Sequence, residues 1–314
     1  MFSKRISLPT TTSWSHHRDG WGYAAGAIKQ HLHRPGCVRM YDWYDAVLRD
    51  RERPKREWVG FVHNVLTYPS EYEFKYKRLY SLDSVEKCPV WKANLANCLG
   101  LYTLSSYTAD YLRTITDVPV NSLLHPTQPC RPKFSSDKFL ANEGRAVLHL
   151  GQWLRKYHAI CDLDTTIRRV IVRPGSAWRS DIEAAKKYRP GSEVEFIDYL
   201  ANDEYDRMLT KNVVFLWLYD VAACNVILEC LSRGTPLLIN RHPAAEEYLG
   251  VDYPLFYETM EEASAKVNNT DLLMAAHAHM TASPILPKLT ADCFVRSLAE
   301  SDIYHSLKPP AAFL

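Results

Sequence analysis

The strongest constraint on how this chain can fold is an alternation that runs its whole length and lapses once. Short apolar runs of strand length recur with helical patterns between them, and such chains form parallel sheets with helices on their faces. In the first half the predicted strands are RISLP (from Arg5), CVRMY (from Cys37), WVGFVH (from Trp58), GLYTLS (from Gly100) and VNSLLH (from Val120). YAAGAIKQHL and SYTADYLRTI are predicted helices between some of them. From Pro126 to Arg145 the pattern stops in a stretch rich in proline, serine and charge, which marks a domain boundary.

The alternation resumes with AVLHLG, RRVIVRP, EVEFIDYL, VVFLWL and PLLIN as strands, the pattern of a second, Rossmann-like sheet. At 314 residues and 46% hydrophobic composition the chain has enough apolar side chains for two domains of ordinary size. The expected fold class is α/β, with Rossmann-like domains at 1–141 and 142–290 and a terminal segment at 291–314. From Leu272 onward LLMAAHAHMTA and LTADCFVRSLAESDIYHSL read as helical with no further strand. The terminal helix is expected to pack back on the first domain.

Charge and cysteine usage narrow the function. Lys plus Arg number 38 against 36 Asp plus Glu, so a net charge of +2 gives no electrostatic footprint for nucleic acid. The eight cysteines are scattered without a CxxC pair or zinc spacing, which predicts reduced thiols in a cytoplasmic protein. The opening MFSKRISLPTTTSW has no apolar run of signal type, and Asp220, Asn225 and Glu229 interrupt the most hydrophobic window, 213–231. Neither a membrane span nor a cleaved export signal is expected. In such a chain the one sequon, at Asn268, has no role.

One acid stands out. In NVILECLSRGTPLLIN, Glu229 sits among Val226, Ile227, Leu228, Cys230 and Leu231, on a helix that is apolar nearly all round. A carboxylate there is either paired or used. The segment VVFLWLYDVAACNVILE reads as a strand, a short turn and a helix start, and ligands of open parallel sheets sit at that edge, where helix amino termini face anions. Ala222 and Ala223 would let a ligand approach the backbone, Asn225 is a candidate cap, and Glu229 lies one turn on. Two readings fit: the acid accepts hydrogen bonds from sugar hydroxyls, or it pairs with a neighbouring arginine.

The stretch NVILECLSRGTPLLINRHPAAEEYLG resembles the carboxy-terminal domain of GT-B glycosyltransferases: a helix bearing a glutamate, a Gly234-Thr235-Pro236 turn, a buried strand and an acidic helix start. The resemblance implies two Rossmann-like domains facing a central cleft, and a metal-independent transferase of the hexosyl or pentosyl kind. Its donor would be a UDP- or GDP-sugar and its acceptor the hydroxyl of a glycan or small molecule, with Glu229 on the donor ribose. The family often has a second acid eight positions earlier, where this chain has Val221, with Asp220 adjacent. HLGQWLRKYH is similar to the glycine-plus-basic turn after the domain's first strand, and VEFIDYLANDEYDRML to the strand and loop against the nucleobase. The implied donor-binding residues are Gly151, Gln152, Arg155, Lys156, Tyr199, Ala223, Asn225 and Glu229. The segment HPAAEEYLGVDYPLFYE also resembles uncharacterised GT-B-like proteins of large DNA viruses and bacteria.

Acceptor and chemistry fall to the first domain. SWSHHRDGWGYAAGAI places His16, His17 and Asp19 beside Gly20, Trp21 and Gly22, and a histidine oriented by an aspartate can deprotonate a hydroxyl. WVGFVHN ends a strong strand on His63, where family members commonly carry a histidine facing the donor sugar. His63 and Asp19 are the expected catalytic residues, with Glu71 and Glu73 as further base candidates. The DLD at Asp162–Asp164 has the form of a metal-binding DxD in the wrong place along the chain, and HLH and HAH fit metal spacing no better than surface helices do. No essential metal or other cofactor is expected. Two other functions compatible with the fold are a nucleotide-sugar epimerase and a catalytically silent nucleotide-sugar-binding protein.

Overall fold

The structure, a computed structural model, describes residues 3–13, 20–69, 80–151, 153–172, 193–198 and 200–308. Its contacts divide the chain into two compact units, Met1–Gln128 with Pro287–Leu314, and Pro129–Leu286.

The first unit is a parallel sheet of β1 (Ile6–Ser7), β2 (Val38–Tyr41), β3 (Trp58–Phe61), β4 (Cys98–Thr103) and β5 (Val120–Ser122), paired in that order. All four residues of β3 are buried, as a strand covered on both faces requires. Its side chains alternate between two cores. Trp58 stacks on Tyr44 with ring centroids 4.3 Å apart, while Phe61 lies 5.1 Å from Tyr102 and 6.0 Å from Phe294 of the terminal helix Ala291–Ala299. The helix Asp302–Ser306 sits so close to β4 that a Cβ on Gly100 would come within 2.5 Å of Ile303, and the Tyr102 hydroxyl meets Ser301 Oγ at 3.0 Å. The terminal segment therefore completes the first unit, as expected. Its one predicted helix is two, because the Ser301 side chain leaves the first helix to cap Tyr304 N–H in the second.

The second unit pairs β8 (Val194–Ile197), β7 (Arg168–Val172), β6 (Ala146–Leu150), β9 (Val213–Leu216), β10 (Leu237–Asn240) and β11 (Phe256–Tyr257) in that spatial order, all parallel. Chain order runs outward one way from β6 and the other way from β9. That reversal is the switch point at which Rossmann-like sheets open a crevice for ligands. β11 is not among the predicted strands.

The proline-rich stretch divides differently from the expected boundary after residue 141. Phe134 N–H and Ser135 N–H bond the carbonyls of Arg233 and Thr210 at 3.0 Å each, and the Phe134 ring lies 5.6 Å from Phe139 and 4.9 Å from His277, so 129–141 packs within the second unit. At the other end Leu289 returns to the first unit, its carbonyl accepting Thr127 N–H at 2.9 Å. Proline and charge signalled irregular backbone, not absence of packing. The HAH pair serves the fold as well. His277 Nδ1–H donates to Gly234 O and His279 Nε2–H to Leu249 O, each at 2.7 Å, satisfying carbonyls at the ends of two helices. No helix of the described residues is long and apolar enough to cross a membrane.

Candidate functional site

At the switch point the loop after β6 is folded around one arginine. Gly151 has φ +73°, and the Arg155 guanidinium doubles back over it to donate to Leu150 O at 2.9 Å and Cys224 Sγ at 3.0 Å. A Cβ on residue 151 would coincide with that guanidinium. Leu154, buried, holds φ 55°, a left-handed conformation that costs a non-glycine residue about 1 kcal/mol. Its carbonyl accepts Tyr219 N–H and Lys156 N–H donates to Trp217 O, both at 2.9 Å, so the loops after β6 and β9 pair antiparallel through Arg155 and Leu218. Lys156 Nζ rests 4.3 Å from the centre of the Trp217 ring.

The turn after β9, Trp217–Cys224, is held on its other flank by β10. Asn240 accepts Leu218 N–H at 2.7 Å through Oδ1 and donates to Leu218 O at 3.0 Å through Nδ2. Asp220 Oδ1 accepts Val221 N–H at 2.7 Å and His242 Nε2–H at 3.0 Å. Val221 is buried, and the acid beside it is turned onto His242. Cys224 is the residue before the helix Asn225–Arg233, and Asn225 is its first, exposed residue; the expected asparagine cap is not formed. Ala222 is buried and Ala223 partly exposed at this helix start.

Glu229, 5% exposed, takes a hydrogen bond at 2.6 Å from the Tyr205 hydroxyl on the helix Asn202–Leu209. Burial, and then the Glu229 charge, drive the Tyr205 pKa well upward, so tyrosine remains the donor. Arg233, four residues on, is buried against Asp206 and donates to Pro132 O at 2.9 Å. Tyr205 is absent from the sequence-predicted site, which has Tyr199 instead; the signal for Tyr205 is an aromatic residue three positions after the polar Asn202 helix start.

In the first unit His63 Nε2–H donates to Asp42 O at 2.8 Å, and the Asp45 carboxylate accepts the backbone N–H groups of His63 (2.8 Å) and Asn64 (3.3 Å). Burial lowers the His63 pKa to about 4 and raises that of Asp45 to about 6. Gly20, Trp21 and Gly22 form the first turn of the helix Gly20–Leu32, not a loop, and Trp21 is core, its ring 4.4 Å from His63 and 4.8 Å from Phe61. His16, His17, Asp19, Glu71, Glu73, Gln152 and Tyr199 lie outside the described residues. Asp164 N–H bonds Ser264 Oγ at 2.9 Å, and among the described residues no three His, Cys, Asp or Glu side chains stand close enough to share a metal.

The sequence matches no family model and no curated protein. Solved structures do match. The HepE protein of Anabaena, solved with UDP and glucose, aligns with a TM-score of 0.63 at 12% identity over 89% of this chain and 80% of its own. Sucrose-phosphate synthase from Thermosynechococcus elongatus aligns at 0.60 and 14% identity over 88% and 76%. The fold is that of the GT-B glycosyltransferases. A TarM variant of S. aureus, solved with fondaparinux, α-GlcNAc-glycerol and UDP, aligns at 0.60 and 14% identity over 84% of this chain. The chain spans 55% of the length of that GT-B structure.

Proposed function

We propose that this protein transfers a sugar from a nucleotide-sugar donor to a hydroxyl acceptor, with the donor bound at the switch point of the second sheet. The observation that carries the reading is the convergence there of the Arg155 loop, a helix start lined by Ala222 and Ala223, and Glu229 buried one turn in. Two of the similar structures hold UDP, which makes a uridine donor the first to test and guanosine the second.

In the reaction the bond from the anomeric carbon to the diphosphate oxygen breaks, the acceptor oxygen takes its place, and the hydroxyl proton leaves. Charge grows on the departing diphosphate, and fixed donors aimed at that charge lower the barrier most. Arg155, Lys156 and the amides at the helix start supply them, with Glu229 on the ribose. No metal is needed for this neutralisation. His63 is assigned to hydrogen bonding with the sugar and not to the base: its Nε2 proton is committed to Asp42 O, and a pKa of about 4 makes it a poor base at neutral pH.

Calorimetry with UDP and GDP, followed by turnover of their sugars with and without hydroxyl acceptors in EDTA, tests the reading. Binding and acceptor-dependent transfer in EDTA are expected. Loss of transfer restored by manganese would overturn metal independence. Conversion of the donor without acceptor would identify an epimerase, and affinity without turnover a binding protein.

A further inference from the structure

The turn Trp217–Cys224 lies beyond the end of β9, yet both its flanks are fixed, on the β6 side by a backbone bridge and on the β10 side by side chains. The last paired residues of β9 and β10 are Leu216 and Ile239. Beyond them the chain after β10 keeps its backbone pairing with β11 only, Arg241 N–H bonding Tyr257 O at 2.9 Å. Leu218 is left with no backbone partner on that side. The Asn240 side chain fills the gap, since its amide carries one acceptor and one donor, the same pair as a peptide group, and it meets both the N–H and the C=O of Leu218.

Two residues on, His242 performs a second join. Its Nδ1 accepts Ala244 N–H at 3.2 Å as cap of the helix Pro243–Leu249, so the proton is on Nε2, which donates to Asp220 Oδ1. One imidazole thus ties a helix start to the turn. From the β6 side the same turn is held by Leu154 and Lys156 through backbone bonds.

We propose that Asn240 and His242, acting through Leu218 and Asp220, are positioning residues for the donor: they set the turn in the shape that receives the diphosphate before the ligand arrives. The proposal rests on the donor reading above. A site whose polar groups are already placed loses less free energy in ordering on binding, so loosening the turn should appear as lost diphosphate affinity.

Two substitutions at one position separate this role from plain stability. His242→Asn keeps a favoured helix-capping side chain but is too short to hold Asp220. His242→Gln reaches Asp220 and gives up the cap. Calorimetry should show His242→Asn and Asn240→Ala binding UDP or GDP about tenfold more weakly or worse, with smaller losses for the monophosphates UMP and GMP, and His242→Gln recovering most of the affinity despite a lower melting temperature. Parent-like diphosphate affinity in folded His242→Asn and Asn240→Ala would overturn the proposal. So would equal losses for mono- and diphosphate, or an affinity ranking that follows melting temperature. If the parent binds neither UDP nor GDP, the donor reading itself fails and this proposal with it.

Discussion

Glu229 is a buried carboxylate whose proposed ribose role and observed bond from Tyr205 can be separated by substitution. Its bond from Tyr205 orients it from the helix that follows β8, the strand next to the expected nucleobase loop. Glu229→Ala should weaken UDP or GDP binding at least about tenfold, about 1.4 kcal/mol, and should also cost about 1–3 kcal/mol of stability because the Tyr205 hydroxyl loses its buried acceptor. Adding Tyr205→Phe removes that orphaned hydroxyl, so the double variant should regain stability and not affinity. Urea unfolding and calorimetry on the same samples check both halves; recovery of affinity would return Glu229 to a structural role. His63 carries a separate expectation. His63→Ala should bind nucleoside diphosphate like the parent and lose transfer, and the parent's rate should show no His63 ionisation near 6.5, since burial takes that pKa to about 4. A step near 6.5 that vanishes in His63→Ala would restore it as the base.

Between elements, contact distance decides what a residue tolerates. Gly100 is a glycine because Ile303 stands where its Cβ would be. Gly100→Ala should therefore destabilise the protein by about 1–3 kcal/mol, the usual cost of overpacking a core. Ile303→Ala alone opens a cavity, but with Gly100→Ala it should restore part of the loss, giving a coupling beyond about 0.5 kcal/mol in a double-mutant cycle. Additive losses in urea unfolding would show that the terminal helix is not seated on β4 as described. None of this was readable from GLYTLS and SDIYHS, which are about 200 residues apart along the sequence.

For the molecule as a whole, buried histidines set the response to acid. His63 and His125 are depressed to about 4 and His149 to about 3, in each case chiefly by burial, from an ordinary value of 6.5. Below pH 6.5 the unfolded chain takes up protons at these sites while the native chain does not, so stability falls as pH drops toward about 4, by about 1.4 kcal/mol per pH unit for each histidine. Asp45 works in the opposite sense: with a native pKa of about 6 against 3.8 unfolded, it gains a proton first in the native state, and its contribution rises as pH falls between those values. Among these four groups, three against one leave a net loss equivalent to about two protons between pH 6 and 4.5, and His33, also lowered chiefly by burial, acts in the same sense as the three. Urea midpoints across pH 7.5 to 4.5 should fall accordingly, and His149→Phe should flatten the slope by about one proton. A flat profile would mean that these rings are solvated.

The ten predicted strands all coincide with strands of the two sheets, and SYTADYLRTI coincides with the helix Ser106–Ile115. These were legible because hydrophobic period belongs to one segment at a time and is written wholly within it. The odd glutamate was also visible, as a residue whose type conflicts with its surroundings, and the glycine-plus-basic loop through its family resemblance. Strand order was not, since the reversal between β6 and β9 depends on pairing of segments far apart in the chain. Nor were the partners: Tyr205 for Glu229, Asp42 O for His63, His242 for Asp220. A partner is a property of two segments brought together. Only packing of those segments sets their distance, and with it the desolvation that moved each buried pKa.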